Sequence, residues 1–401
     1  MSLDLPLARA AYRSPVIDRL REANHGLTVG RITVRCARNF GFCWGVDKAV
    51  SMILEAIAAN PGRRIWLLSP IIHNPAVNRD LAARGVGFLK GEGPELDDGF
   101  ARVAAEDLVV IPAFSAEVED IERLAARGCS VLDTTCPWVE RPHRRTERLI
   151  GEGFSLVIHG KVGHDETRAT CSLIRNRGGH YVVVADLTET DALCRVLDGQ
   201  DGAAFGAIPE AASSPGFDPQ RHLDRVGLIN QTTMLASESR EIARRIGEAM
   251  AERYGQDQLK DHFRDFDTIC SATQENQDAV LELLAEPDLD LMIVVGGYSS
   301  SNTHNLARIA ARRVPTYHIE EPREITQDAI QHQPVDQPGR VVTRDWLPSG
   351  PLVVGFTAGA STPDQQLGQV IERVIAIATG NDLPAEIAGR AAWPTPELER
   401  R

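Results

Sequence analysis

Seven cysteines, at positions 36, 43, 129, 136, 171, 194 and 270, are the side chains of this 401-residue sequence best suited to metal or redox chemistry. No two form a Cys-x-x-Cys pair, so neither a zinc ribbon nor a thioredoxin motif is offered. Three of them share a context. Cys43, Cys136 and Cys270 each open a helical pattern (WGVDKAVSMILEAI, PWVERPHRRTERLI, SATQENQDAVLELL) that leads to an apolar strand and then a polar residue. From Cys43 to His73 is 30 residues, from Cys136 to His164 is 28, and from Cys270 to Ser300 is 30. Thiolates gathered from three such places suit a soft metal ion or an iron–sulfur cluster. Three ligands on a four-iron cube leave one iron open to a substrate oxygen, whereas a fourth would suit electron transfer alone. Cys36, Cys129, Cys171 and Cys194 lack this equivalence and read as small buried hydrophobes.

Other reactive side chains fall at matching points. His73 and His164 end apolar strands and precede helices, where imidazoles can donate to an anion such as a diphosphate. The run Ser299, Ser300, Ser301 and Asn302 holds the third such place, and Ser361 in TAGAST has the same character. These residue types cap helices, and capped helix starts also bind anions, so the two roles are compatible. Glu166 in GHDET is the candidate general acid, because withdrawal from water raises a carboxyl pKa toward neutrality. A helix-start carboxylate is the other role open to it. Thr232 and Thr233 in NQTTM offer hydroxyls to the same chemistry. Arg141, His143, Arg144 and Arg145 read as a solvated helix face or, alternatively, as a dock for an acidic electron donor.

The elements that must position these residues repeat three times. After each polar residue come a helix (NRDLAARG, TRATCSLIRNRG, NTHNLARIAARR), a short strand (GVGFL, HYVVVAD, PTYHIE) and a longer apolar strand (LVVIPAFSAE, VGLINQTTM, LVVGFTAGAST). Strands alternating with helices predict parallel α/β sheets whose ligands bind beyond the C-terminal strand ends. The expected fold is therefore three small α/β units with parallel sheets facing a common centre. Their expected bounds are 36–135, 136–268 and 269–380, after a helical N-terminal extension over 1–35 and before a tail over 381–401. An Ala-, Pro-, Gly- and Ser-rich insertion near 198–224 is expected to be a surface loop.

Composition narrows the partners. A formal charge of −13 argues against broad nucleic-acid binding. No stretch reaches the ~20 apolar residues that span a bilayer, and the first residues lack the apolar core of a secretory signal. A cytoplasmic location is expected, where thiols stay reduced.

Taken in order, GFCWGV, the HN pair after the first strand, DTTCP, GHDE, NQTT, DTIC, the SSSN run and TAGAS with its following PD resemble the 4-hydroxy-3-methylbut-2-enyl diphosphate reductase family, from about Cys43 to Pro363. The long N-terminus and the insertion are similar to its plant and cyanobacterial branch. The resemblance implies a trefoil-like arrangement of three units around a central [4Fe–4S] cluster on Cys43, Cys136 and Cys270. It implies diphosphate binding by His73, His164, Ser300, Ser301, Asn302 and Ser361, with Thr232 and Glu166 at the substrate hydroxyl and Glu166 as proton source. The implied reaction is reductive dehydroxylation of the allylic diphosphate to isopentenyl and dimethylallyl diphosphates, the last step of the non-mevalonate (MEP) pathway. A ferredoxin or flavodoxin is the implied electron donor. Phe114 stands where many members carry a further diphosphate-contacting histidine, so no third histidine is carried over. Two other readings share the cysteines: an iron–sulfur hydro-lyase acting without net redox change, and a non-catalytic metal-binding regulatory protein.

Overall fold

The computed structural model describes residues 7–90, 99–199, 202–335, 337 and 339–380. The expected tail over 381–401 lies outside the described residues. Three largely parallel sheets organise the rest. The first has the order Gly87–Phe88, Ile65–Leu67, Leu108–Ile111, Ser130–Asp133, and the second Tyr181–Val184, Ser155–His159, Val226–Asn230, Phe263–Asp265. Both are parallel throughout. The third runs Thr316–Ile319, Leu291–Val295, Leu352–Ala358, Ile32–Cys36, Gly26–Val29, with only the last pair antiparallel. Central strands such as LVVI, VGLIN and LMIVV are buried along their whole length. Such β-branched runs suit sheets covered by helices on both faces.

The common strand order explains the repeat and revises its bounds. In the first two sheets the fourth strand, Ser130–Asp133 or Phe263–Asp265, leads to the next cysteine. In the third sheet that place belongs to Ile32–Cys36, the strand that leads to Cys43, paired in parallel with Leu352–Phe356. The repeat is thus closed by the N-terminal segment. Residues 1–35 were expected to be a helical extension outside the units, but residues 26–36 are two strands of the third sheet. Helix Pro15–Glu22 contributes Val16, Ile17 and Leu20 to the same core. Its cap, Ser14, lies against Gly368, where any side chain would collide with the serine hydroxyl.

The three expected α/β units are present as these three sheets with their helices, and by compactness the first two group together. Of the described residues, Leu7, Ala8 and those of Cys43–Glu275 form one unit that holds the first two sheets. Arg9–Phe42 and the described residues from Asn276 to Gly380 form the other, built on the third sheet.

The insertion is not simply a surface loop. Its short helical turns Gly202–Ala207, Glu210–Ala212 and Pro219–His222 send Ala204, Ile208, Ala212 and Leu223 into the core of the second sheet. Burial of apolar side chains outweighs the local Gly/Pro character there.

Candidate functional site

All three equivalent cysteines fall in the first unit, each at the start of a helix: Trp44–Ala59 after Cys43, Pro137–Gly151 after Cys136, and Ser271–Leu284 after Cys270. Local bonds set each one. Cys43 Sγ accepts from Val46 N–H at 3.5 Å. Before Cys136, the Asp133 carboxylate accepts from Thr135 N–H at 2.8 Å, Thr134 Oγ donates to Ile111 O at 2.6 Å, and Cys136 N–H donates to Ala113 O at 3.0 Å. Cys270 N–H donates to Thr232 O at 3.1 Å, and Cys270 Sγ accepts from Thr273 N–H at 3.4 Å. N–H groups at a helix start stabilise thiolate.

The three sulfurs feel one another. Burial, opposed by the Val46 N–H and reinforced by Cys270 and Cys136, pushes the Cys43 thiol up to about 12. Burial pushes Cys270 up to about 11, with Glu166 and Cys136 adding to it. Cys136 is raised by burial and by Glu166, while Lys48 pulls it down. Three thiols so placed ionise together only if a cation compensates them. Gly45 sits directly on Cys136, since a side chain there would collide with its sulfur. Among the described residues no three His, Cys, Asp or Glu groups converge on a single metal ion.

Glu166 lies beside this set. It is buried, and its two oxygens accept from Thr232 N–H at 2.7 Å and from Thr232 Oγ at 2.8 Å. Burial raises its pKa to about 7 against the pull of both Thr232 donors. Thr232 also supplies the carbonyl that holds Cys270, so one residue orients acid and thiol. Thr233 accepts from Gln231 Nε2 at 2.8 Å.

His164 caps helix Asp165–Asn176, its Nδ1 accepting from Glu166 N–H at 3.2 Å. In the neutral ring the proton is then on Nε2, which stands 3.1 Å from His73 Nε2 and donates to it. Burial holds both histidines below their usual pKa; for His164 the neighbouring His73 adds to it, whereas Asp165 opposes the shift at His73. Phe114 completes the group. It stacks on His73 with centroids 4.1 Å apart and meets His164 edge-on at 5.7 Å. Asn74, next to His73, caps helix Pro75–Ala83 by accepting from Ala76 and Val77 N–H.

In the second unit, Ser300 caps helix Ser301–Ala310 by accepting from Thr303 N–H at 3.3 Å, and Ser301 and Asn302 are its first residues. Asn302 Oδ1 accepts from Ala360 N–H at 2.9 Å, which ties the helix start to the turn holding Ser361. Behind it Asn276 Nδ2 reaches Asn302 Oδ1 at 3.5 Å, and Asn39 Nδ2 donates to Asn276 Oδ1 at 2.9 Å. All four predicted residues here are buried. Asn39 and Asn276 were not singled out in the sequence, because nothing in their spacing links residues 237 apart.

The basic run divides. Arg141, Arg144 and Arg145 are exposed, with Arg144 paired to Glu140 at 3.1 Å. His143 turns inward, its Nε2 buried and unbonded and its pKa lowered to about 4 by burial, so it leaves the solvated face expected of it.

Parallel sheets covered by helices, with three cysteines at helix starts and a buried carboxylic acid beside them, define the class as α/β. The chain belongs to the LytB protein family, whose family model matches residues 34–375. A 4-hydroxy-3-methylbut-2-enyl diphosphate reductase of Synechococcus sp. (strain RCC307) is 45% identical over 381 residues, covering 94% of this chain and 92% of the relative. The like-named protein of Gloeobacter violaceus (strain ATCC 29082 / PCC 7421) is 44% identical over 371 residues, covering 91% and 88%. A solved (E)-4-hydroxy-3-methyl-but-2-enyl diphosphate reductase, described as the terminal enzyme of the non-mevalonate pathway, aligns with a TM-score of 0.50 and 30% identity over 85% of this chain and 98% of its own. The Plasmodium falciparum reductase shares the fold at a TM-score of 0.63 and 19% identity, over 86% and 87% of the two chains.

Proposed function

We propose that this chain is an oxidoreductase that converts 4-hydroxy-3-methylbut-2-enyl diphosphate to isopentenyl and dimethylallyl diphosphates, the last step of the non-mevalonate pathway. The observation that carries the reading is Glu166, a carboxylic acid protonated up to about pH 7 and electrostatically coupled to two of three gathered thiols. Cys43, Cys136 and Cys270 would hold one [4Fe–4S] cluster, which when bound supplies electrons and an iron with an open position for oxygen. The donor set fits such a group: three sulfurs at helix starts, raised in pKa partly by one another, and a glycine that keeps space beside one of them.

The protein's own residues divide the remaining work. Glu166 holds the proton that the departing hydroxyl needs to leave as water. Thr232 orients that carboxyl through two bonds and keeps its pKa from rising further. His73 and His164 would donate to the diphosphate. Neutral in the free protein, they can gain charge assistance by taking up a proton when the anion arrives. The same anion-binding role is proposed for Ser300, Ser301, Asn302 and Ser361. The net change consumes two electrons and two protons, breaks one C–O bond, forms one C–H bond and releases one water.

An acidic one-electron carrier such as ferredoxin or flavodoxin would supply the electrons one at a time. A cytoplasmic setting, where thiols stay reduced, suits the cysteines. Among the described residues no helix is long and apolar enough to cross a membrane.

The test is anaerobic iron and sulfide analysis of the purified chain, followed by turnover with reduced methyl viologen. About four of each per chain, and turnover strictly dependent on reductant, are expected. An iron-free protein, or one that turns over without reductant, would refute the assignment.

A further inference from the structure

Two tryptophans stand at the cysteine end of the first unit: Trp44 directly after Cys43, and Trp138 two residues after Cys136. Trp44 is 59% exposed, the most exposed large apolar side chain among the described residues. The two helix starts adjoin, because Gly45 packs on Cys136 and the Lys48 charge reaches the same thiol. Each tryptophan carries a cation rather than a carboxylate partner. Lys48 lies over Trp44 at 5.6 Å and Arg141 over Trp138 at 3.8 Å, while Arg145 covers Phe266 at 4.8 Å. None of these three cations is ion-paired with a described carboxylate. Glu140, the acid at the start of the same helix, is already matched by Arg144.

Cations without a described carboxylate partner, grouped on the exposed Trp44 ring and the half-buried Trp138 and Phe266 rings, give this edge a local positive character on a chain of net charge −13. We propose that this surface docks an acidic one-electron carrier protein and delivers its electrons at the Cys43–Cys136 edge. The inference rests on the reductase reading, which requires an outside source of two electrons. Two reduced carriers would each give one electron in turn, and each would leave oxidised. The net negative charge of the chain as a whole repels such a partner, so local attraction at this patch also fixes its orientation. The exposed Trp44 indole, with the half-buried Trp138 near it, supplies the flat apolar centre that a transient interface needs, with the cations as its rim.

The test uses the cluster-loaded enzyme with two reductants, an acidic plant-type [2Fe–2S] ferredoxin and reduced methyl viologen. The double charge reversal Arg141→Glu with Arg145→Glu should raise the ferredoxin KM at least about tenfold and flatten its salt dependence, while viologen-driven kcat stays within about twofold. Direct ferredoxin affinity at low salt, read from tryptophan fluorescence of the oxidised proteins, should fall in parallel. The charge-keeping pair Arg141→Lys with Arg145→Lys should retain near-normal affinity. Unchanged ferredoxin KM and affinity in the reversed variant would overturn the docking surface. Absence of viologen turnover in the unmodified holoenzyme would instead overturn the reductase reading, and the ferredoxin affinity would then decide the docking surface independently.

Discussion

Replacing Glu166 with glutamine separates proton delivery from every other role of that position. Gln is nearly isosteric, and its amide can still accept from Thr232 N–H and donate to Thr232 Oγ, the two groups that now hold the carboxylate at 2.7 and 2.8 Å. What it cannot do is release a proton. General-acid catalysis contributes about a hundredfold to ten-thousandfold, so viologen-driven kcat should fall within that range while iron content and substrate KM stay close to normal.

The same substitution makes a prediction about stability. The folded-state pKa of Glu166 is raised, to about 7 from an ordinary 4.5, chiefly by burial. That difference corresponds to about 3 kcal/mol against the ionised side chain in the folded apoprotein. The sign follows from linkage: below pH 4.5 the acid is neutral in both states and costs nothing, and as pH rises through 7 the folded protein loses relative stability. Glutamine has no such titration. Urea unfolding of the two apoproteins should therefore diverge with pH, the variant gaining by about 3 kcal/mol between about pH 4.5 and about pH 8. A stability difference that stays flat over that range would refute the buried-acid argument. Turnover within tenfold of the parent would refute its catalytic counterpart.

Several other perturbations test the remaining parts of the site. Thr232→Val removes the hydroxyl that donates to Glu166, so the carboxyl pKa rises further and the alkaline limb of the kcat–pH profile should move up by about one unit. Gly45→Ala drives a methyl group into Cys136 and should halve or abolish iron and sulfide binding while circular dichroism remains native. Cys43→Ser should lose the absorbance near ~400 nm typical of thiolate-bound iron, whereas Cys171→Ser, in a buried position among the second sheet's apolar residues, should keep it. Phe114→Ala removes the ring stacked on His73. An aromatic pair is worth about 1 kcal/mol, so KM for the diphosphate substrate should rise about fivefold with little change in kcat.

Much of this chemistry was legible in the linear order of residues. Near-equal spacing singled out Cys43, Cys136 and Cys270, because a repeated β–α unit places equivalent residues at equivalent strand ends. The β-branched runs specified parallel, doubly covered strands for the same reason: only residues apolar on both faces can sit between two layers of helix. His164 and Ser300 were correctly read as helix starts from their local neighbours alone.

Other features depend on contacts that no window of sequence contains. Ile32–Cys36 completes the third sheet across more than 300 residues of chain, so its membership could not be seen from its neighbours. Buried apolar side chains drew the insertion into the core despite its turn-forming composition. The Nε2-to-Nε2 bond of His73 and His164, the stack of Phe114 upon them and the Asn39–Asn276–Asn302 relay are likewise tertiary facts. Glu166 shows the division most clearly. Its type and position marked it as an acid, but a carboxyl's pKa is set by the water it loses and the donors it gains. Only the folded chain, by burying it against the opposing pull of the two Thr232 donors, decides that its pKa rises to about 7.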